Sequence, residues 1–246
     1  MPGIFLARSG SVPLTRREPL VRRSCPLELI ADNLTIERGG RRVFQDLSFK
    51  LESGIALAVT GANGIGKSSL LRTLAGLVPL AGGSLRVERG LEDSTPSEHS
   101  HYFGHQNAVK PALSVVENLA FWQSFTAPAR TSGFRGTNLS PGDALETLGI
   151  GHTADLPAAY LSAGQTRRLA LARLLVTARP IWLMDEPTSA LDRASEGRLI
   201  NLMNEHLAAG GMIVTATHTD LALAPMQELH LRAADIDELP VPEEPA

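Results

Sequence analysis

A glycine-rich run that ends in lysine and serine is the clearest chemical feature of this sequence. Residues 61–68 read GANGIGKS and match the phosphate-binding pattern GxxxxGK[ST] in full. The run follows an apolar stretch at 55–60, typical of a buried strand, and precedes helical spacing over 67–75. Glycines let successive N–H groups point at an anion, and the N-terminus of the next helix adds positive charge.

We therefore predict that this run binds a nucleoside triphosphate. Lys67 would contact the β- and γ-phosphates, and the Ser68 hydroxyl would bind Mg²⁺. The predicted nucleotide-binding residues in this run are Gly61, Ala62, Asn63, Gly64, Ile65, Gly66, Lys67, Ser68 and Ser69.

Two adjacent carboxylates, Asp185 and Glu186, follow the apolar residues 181–184. Parallel strands present ligand groups at their carboxyl ends, so this pair is expected at the edge of a sheet. Asp185 would hold Mg²⁺ through a water, and Glu186 would orient or deprotonate the attacking water. An acidic pair is also common at plain turns and helix N-termini. The phosphate-binding run upstream favours the catalytic interpretation.

Residues 161–165 read LSAGQ and are followed by amphipathic helical spacing over 166–173. Taken alone, this is a serine–glycine turn that caps a helix. Together with its spacing from the acidic strand, the segment resembles the signature motif of the ABC ATPases, whose usual form is LSGGQ. The resemblance implies that Ser162 and Gly164 contact ATP held by a second subunit.

Other positions match the same family in the same order. Gln106 resembles the Q-loop glutamine that senses Mg²⁺ and couples to the membrane domain, residues 189–192 resemble the D-loop, and His218 resembles the switch histidine. The resemblance implies that Glu186, His218 and Gln106 are catalytic and that Ser68, Gln106 and Asp185 bind Mg²⁺. The aromatic residue that usually stacks on adenine is replaced by Arg38, so either Arg38 or Phe44 is expected there.

The alternation of short apolar runs with helical stretches predicts an α/β fold, and the resemblance implies a P-loop NTPase of the ABC ATPase type. We expect a mostly parallel core sheet, an N-terminal antiparallel β subdomain and a helical subdomain that carries the signature motif. Residues 27–37 and 42–51 are predicted to form an antiparallel hairpin that turns at 39–40. The ATP-binding domain is predicted over 27–231, between a flexible basic extension at 1–26 and an acidic, proline-rich tail at 232–246.

Composition excludes some classes of function. The net charge is -3 and the basic residues are scattered, so a nucleic-acid partner is not expected. Cys25 is the single cysteine, which excludes an intrachain disulfide and favours a reducing compartment. No apolar run approaches the roughly 18 to 20 residues of a membrane span, and we predict no signal peptide.

Residues 101–122 resemble one subfamily of these ATPases, the CcmA group of cytochrome c maturation. The resemblance implies a homodimer that hydrolyses ATP with Mg²⁺, peripheral on the cytoplasmic face of a bacterial inner membrane. Its partner would be a small integral membrane subunit (CcmB-like), and its role haem export or haem handling. The alternatives are the ATPase of another small-substrate ABC transporter, a soluble ABC-type ATPase acting on ribosomes or DNA, and a nucleotide-gated scaffold. His99, His101 and His105 are expected to be solvated surface residues.

Overall fold

The structure is a computed structural model that describes residues 27–38, 41–88, 95–126, 134–136, 138–218 and 221–232. The predicted extension at 1–26, the predicted turn at 39–40 and residues 233–246 of the predicted tail lie outside this description. The strands are β1 (Glu28–Arg38), β2 (Arg41–Glu52), β3 (Ala56–Thr60), β4 (Gly82–Glu88), β5 (Ser100–Phe103), β6 (Ile181–Asp185), β7 (Met212–Ala216) and β8 (Met226–His230). The helices are α1 (Lys67–Leu74), α2 (Val115–Phe125), α3 (Pro141–Thr147), α4 (Ala163–Val176) and α5 (Arg193–Ala208).

The central sheet has five parallel strands in the order β5-β6-β7-β3-β8. Side chains alternate between its two faces, as the strand repeat of two residues requires. Ala56 of β3 packs in one core cluster, whereas Leu57 and Val59 pack in the other. In β6, Trp182 and Met184 likewise face the first cluster. This burial on both faces explains the continuous apolar runs at 55–60 and 181–184 and confirms the predicted parallel core.

A second sheet has three strands in the order β2-β1-β4. β1 and β2 pair antiparallel, with Leu29 opposite Leu51, so the predicted hairpin pairing is confirmed. β4, which the sequence analysis did not predict, pairs antiparallel with β1 and places Val87 opposite Leu29. The apolar side chains of this sheet share a core cluster with α1 and with one face of the central sheet.

The remaining helices form the other layer. α4 packs against α2, α3 and β5, and α5 packs against β7. α4 is more buried than its predicted amphipathic pattern implies, because it has neighbours on several sides. Its buried residues include the charged Arg167. A buried guanidinium in a helix of this kind needs specific hydrogen-bond partners.

Four helices begin at a polar N-cap whose side-chain oxygen accepts a backbone N–H: Ser114 for α2, Ser140 for α3, Ser162 for α4 and Asp192 for α5. α1 instead begins after Gly66, in the phosphate-binding run. Within the described parts of the chain, no helix combines the length and the apolar character needed to cross a membrane.

Candidate active site

The phosphate-binding loop lies between β3 and α1 and is tightly enclosed. Gly61 and Gly66 have φ values of 135° and 112°, which L side chains rarely adopt. A Cβ at Gly61 would lie 2.7 Å from the Leu231 carbonyl oxygen, and one at Gly66 would lie 2.5 Å from a Val43 methyl carbon. Both positions therefore require glycine for conformation and for space.

Lys67 is the first residue of α1, and its side chain folds back onto this loop. The residue is buried, and Nζ donates to the carbonyl oxygens of Gly61 at 2.8 Å and Ala62 at 3.0 Å. These contacts fix the ammonium group beside the backbone N–H groups of the loop. An anion bound by the loop would therefore meet a positive charge that is already in position.

Asp185 ends β6 and is buried, and the Ser68 hydroxyl donates to its Oδ1 at 3.1 Å. A hydroxyl and a carboxylate oxygen suit Mg²⁺, which takes oxygen ligands and often binds through one carboxylate together with substrate phosphates. Among the described residues, no group of three or more His, Cys, Asp and Glu could hold a metal ion. The Ser68 hydroxyl and the Asp185 carboxylate fit an ion that takes its other ligands from a bound nucleotide.

Glu186 follows Asp185 in an unusual backbone conformation, with φ at 48°. Its N–H donates to the Ala216 carbonyl oxygen at 2.8 Å, and its own carbonyl accepts from Arg167 Nη2 at 2.7 Å. His218 Nε2 lies 3.7 Å from Glu186 Oε1, and the two side chains are 52% and 34% exposed. Water can therefore reach a carboxylate that has a histidine beside it, as a general base requires.

A pocket of about 330 Å³ joins these groups. The described residues that line it are Arg38, Asn63, Gly64, Gly66, Lys67, Ser68, Ser69, Asp185, Glu186 and His218. Four segments that are distant in the sequence thus meet at one place. Arg38 lines the pocket, whereas Phe44 is 1% exposed and packs in the core. The expectation that Phe44 could stack on adenine is therefore wrong, because its ring is buried beneath the loop at Gly66.

Six predicted site residues are not among the described residues that line this pocket: Gly61, Ala62 and Ile65 of the loop itself, and the more distant Gln106, Ser162 and Gly164. Gln106 is exposed in the loop after β5 and lines a separate cavity of about 650 Å³. Ser162 is exposed at the start of α4, and Gly164 lies near the Ala190 carbonyl oxygen of the predicted D-loop. One copy of the chain therefore does not gather all of the predicted site residues.

The prediction of solvated histidines was wrong at two of three positions. His99 and His101 are 1% and 8% exposed, while His105 is exposed. His99 ends the short 3-10 turn Pro96–His99, which packs against β5, and His101 lies on β5, which α4 also covers. His101 Nε2 contacts the Thr177 carbonyl oxygen at 2.7 Å, and desolvation lowers the pKa of His101 to about 3.

Arg167, which was not among the predicted site residues, contacts the Glu186 backbone. The helical repeat places Arg167 on the same face as Ala170, Leu171 and Leu174, all of which are buried. A charged residue on an otherwise apolar helix face is a signal that could have identified it.

Comparison with known proteins agrees with this geometry. The model of the ABC transporter family matches residues 44–189. A cytochrome c biogenesis ATP-binding export protein CcmA from Nitrobacter winogradskyi is 50% identical over 208 residues, which cover 85% of this chain and 100% of the relative. A protein of the same name from Mesorhizobium japonicum is 54% identical over 199 residues, covering 80% of this chain and 94% of the relative.

Solved structures share the fold. A putative ABC transporter ATP-binding protein from Pyrococcus furiosus superposes with a TM-score of 0.67 at 20% identity, covering 83% of this chain and 97% of that one. A putative metal-chelate type ABC transporter in an inward-facing conformation gives 0.66 at 26% identity, covering 86% and 82%. The matched segment spans more than half of the chain and contains the phosphate-binding loop, the signature segment and both carboxylates. This chain therefore belongs to the ABC transporter family, as one of its ATP-binding subunits.

Proposed function

We propose that this chain hydrolyses ATP to drive a separate integral membrane subunit that serves c-type cytochrome biogenesis, in haem export or haem handling. The observation that carries the ATPase assignment is the pocket in which Lys67, the Ser68–Asp185 pair and Glu186 meet. The cytochrome c assignment is supported by relatives named for that process, at 50% and 54% identity over most of both chains.

The residues of the pocket divide the work of phosphoryl transfer. The loop N–H groups and Lys67 bind and orient the phosphates, while Ser68 and Asp185 would hold Mg²⁺. Gln106, which lies outside the pocket in this structure, would be a further ligand. When bound, Mg²⁺ neutralises charge on the terminal phosphates. Glu186 orients the attacking water and accepts its proton, and His218, 3.7 Å away, hydrogen-bonds the γ-phosphate.

A second copy of the chain completes each site in this proposal. Ser162 and Gly164 lie apart from the pocket of their own chain, and Ser162 is exposed at a helix N-terminus. The N-terminus of a helix suits a phosphate group because of its free N–H groups and its dipole. Two copies would sandwich two ATP molecules, so ATP binding favours a closed dimer and hydrolysis favours its separation.

The membrane subunit would dock at the cavity beside Gln106. Arg72, Arg173 and Arg179 line this cavity, together with Trp122, and its described lining includes no Asp or Glu. Phe125, on the same helix as Trp122, is 71% exposed. A positively charged surface with aromatic groups fits a partner segment that carries carboxylates and apolar side chains. The chain would then sit peripherally on the cytoplasmic face of the inner membrane.

The first experiment is affinity purification of tagged Glu186→Gln protein from detergent-solubilised membranes with Mg-ATP. Lys67→Ala protein is the matched control, because it should lose nucleotide binding and so should not form the closed state. We expect an integral membrane subunit of the cytochrome c maturation system to co-purify. A different permease would leave the ATPase assignment intact and overturn the cytochrome c role. Ribosomal or DNA-associated proteins alone would overturn the transporter assignment.

The same two variants test the dimer. Glu186→Gln should bind ATP, lose nearly all turnover and elute as a dimer under saturating Mg-ATP, since the nucleotide would be trapped between two copies. Lys67→Ala should stay monomeric at every ATP concentration. Size-exclusion chromatography with light scattering measures both masses. A Glu186→Gln protein that stays monomeric under saturating Mg-ATP would count against the sandwich.

A further inference from the structure

One buried arginine contacts both the loop that carries Gln106 and the backbone of Glu186. Arg167, in α4, is 4% exposed. Its Nη1 donates to the Gly104 carbonyl oxygen at 2.8 Å and to Asn107 Oδ1 at 3.2 Å, on either side of Gln106. Its Nη2 donates to the Glu186 carbonyl oxygen at 2.7 Å. A single guanidinium therefore spans from the edge of the partner cavity to the catalytic pocket.

The partners of Arg167 are neutral oxygens, which makes its burial costly. Backbone carbonyls and one amide accept its hydrogen bonds, and Phe103 lies under the guanidinium, with its ring centre 3.9 Å from Cζ. Burial lowers the pKa of Arg167 to about 10, so the group stays charged at neutral pH. An apolar side chain would fill this space at lower cost. An apolar side chain could not make these hydrogen bonds, however, because they need the length and the several donors of a guanidinium.

Glu186 needs such a contact because its backbone conformation is unfavourable for a residue with a Cβ. The conformation is held by the Glu186 N–H on Ala216 and by two donors on the Glu186 carbonyl oxygen, namely Arg167 Nη2 and the Ser189 N–H at 3.2 Å. Since the backbone sets the direction of the side chain, a change at this carbonyl would move the Glu186 carboxylate.

We propose that Arg167 is a positioning residue that holds the Glu186 carboxylate in its hydrolytic orientation and links this orientation to the Gln106 loop at residues 104–107. This inference rests on the proposed ATPase function. It adds a route, within one chain, by which a partner bound beside Gln106 changes the rate of hydrolysis. Arg167 lies in α4, whose N-terminus carries the signature segment at 161–165. This segment is therefore connected to Glu186 and to the Gln106 loop through the same side chain.

The test compares kcat with KM in the full-length protein. Arg167→Met keeps the length of the side chain without its donors, and should lower kcat between tenfold and a hundredfold, since a small misplacement of a catalytic group has an effect of this order. KM and the Kd for a fluorescent ATP analogue should change by less than about threefold. Arg167→Lys, which cannot reach both Gly104 and Glu186, should recover part of the lost kcat. Arg198→Met removes an exposed arginine of α5 and controls for loss of one charge.

A double-mutant cycle separates positioning from general damage. If Arg167 acts through Glu186, then Arg167→Met should cause little further loss in Glu186→Gln protein, measured as single turnover of radiolabelled ATP. A full additional loss there, or a wild-type kcat in Arg167→Met, would overturn the inference and leave the ATPase function standing. No hydrolysis by the wild-type protein, alone or with its membrane partner, would overturn both.

The loop half of the link has its own variant. Asn107→Ala removes one contact of Arg167 and leaves the contact with Glu186 in place. In the complex purified from membranes, Asn107→Ala should reduce the stimulation of ATPase activity by the membrane subunit at least threefold, and by a larger factor than it lowers the unstimulated rate. Stimulation equal to that of the wild-type complex would overturn the coupling of the loop to Glu186.

Discussion

At the residue scale, Arg38 is the side chain whose role is least expected from its type. It ends β1, is exposed and lines the same pocket as Lys67, while Phe44 is buried in the core. If the loop at 61–68 binds the triphosphate as proposed, the loop does not contact the base, and recognition of the base needs a separate contact. A planar guanidinium can stack on an aromatic ring, and such contacts at exposed sites contribute about 1 kcal/mol.

We therefore expect Arg38→Ala to raise the Kd for ATP roughly fivefold, which corresponds to about 1 kcal/mol. Arg38→Tyr should restore the affinity, because a tyrosine ring also stacks on the base. Titration calorimetry with ATP and with inorganic triphosphate measures both effects. If Arg38 contacts the base, triphosphate binding should change much less than ATP binding. Equal weakening of both ligands would show that Arg38 acts on the phosphates instead.

At the element scale, the N-terminus of α4 combines a structural and a proposed functional task. Ser162 Oγ accepts the Gln165 N–H at 3.2 Å, and Gln165 accepts the Ser162 N–H at 2.9 Å. α2 has the same capping box, in which Ser114 Oγ accepts the Glu117 N–H at 3.2 Å. The two serines therefore make matched contributions to helix stability.

A comparison of Ser162 with Ser114 distinguishes an effect on helix capping from an effect on catalysis. Ser162→Ala and Ser114→Ala should each lower the free energy of unfolding by about 1 kcal/mol, as loss of an N-cap does. Ser162→Ala alone should also lower ATP turnover by tenfold or more, because Ser162 is proposed to contact the γ-phosphate bound to the other copy. Urea unfolding and steady-state ATPase assays measure the two effects. Equal turnover in both variants would restrict Ser162 to helix capping.

At the scale of the whole molecule, two buried histidines make stability depend on pH. Burial, with smaller contributions from nearby Arg179 and Arg173, lowers the pKa of His101 to about 3, and burial lowers the pKa of His206 to about 4. Each histidine contacts a backbone carbonyl oxygen, and the His206 ring stacks on Trp182 at 4.0 Å. Both side chains are therefore neutral in the folded protein over a range in which the unfolded chain takes up protons.

The direction of this pH dependence follows from which state of the chain binds more protons. Below the unfolded pKa of about 6.5 the unfolded state binds more protons, so stability is complete above that pH and is lost as the pH falls towards the folded values. Between pH 6.5 and pH 5, each histidine should lower the free energy of unfolding by roughly 2 kcal/mol. His101→Gln keeps a donor for Thr177 but cannot titrate. The free energy of unfolding should therefore depend less steeply on pH in this variant. Urea unfolding at several pH values tests this, and an unchanged slope would contradict it.

The local parts of the candidate site can be predicted from short stretches of sequence. The glycine loop at 61–68, the carboxylates after β6 and the cap at Ser162 are each set by a few neighbouring residues, because turns, strand ends and helix caps form over short stretches of chain. The parallel core and the β1–β2 pairing were also predictable, since apolar runs and alternation reflect burial on two faces or one. Helices α2, α3 and α5 were not predicted, although each begins at a serine or aspartate cap and Ser140 with Pro141 forms a recognisable helix start.

Tertiary packing sets which distant residues meet and which side chains are removed from water. It brought Arg38, Lys67, Glu186 and His218 into one pocket, from four segments of the chain. It also buried Phe44, His99 and His101, because other elements cover them. Burial of a side chain depends on packing between elements that are far apart in sequence, and local periodicity does not record it. The links made by Arg167 belong to the same class, since each of its partners lies outside its own helix.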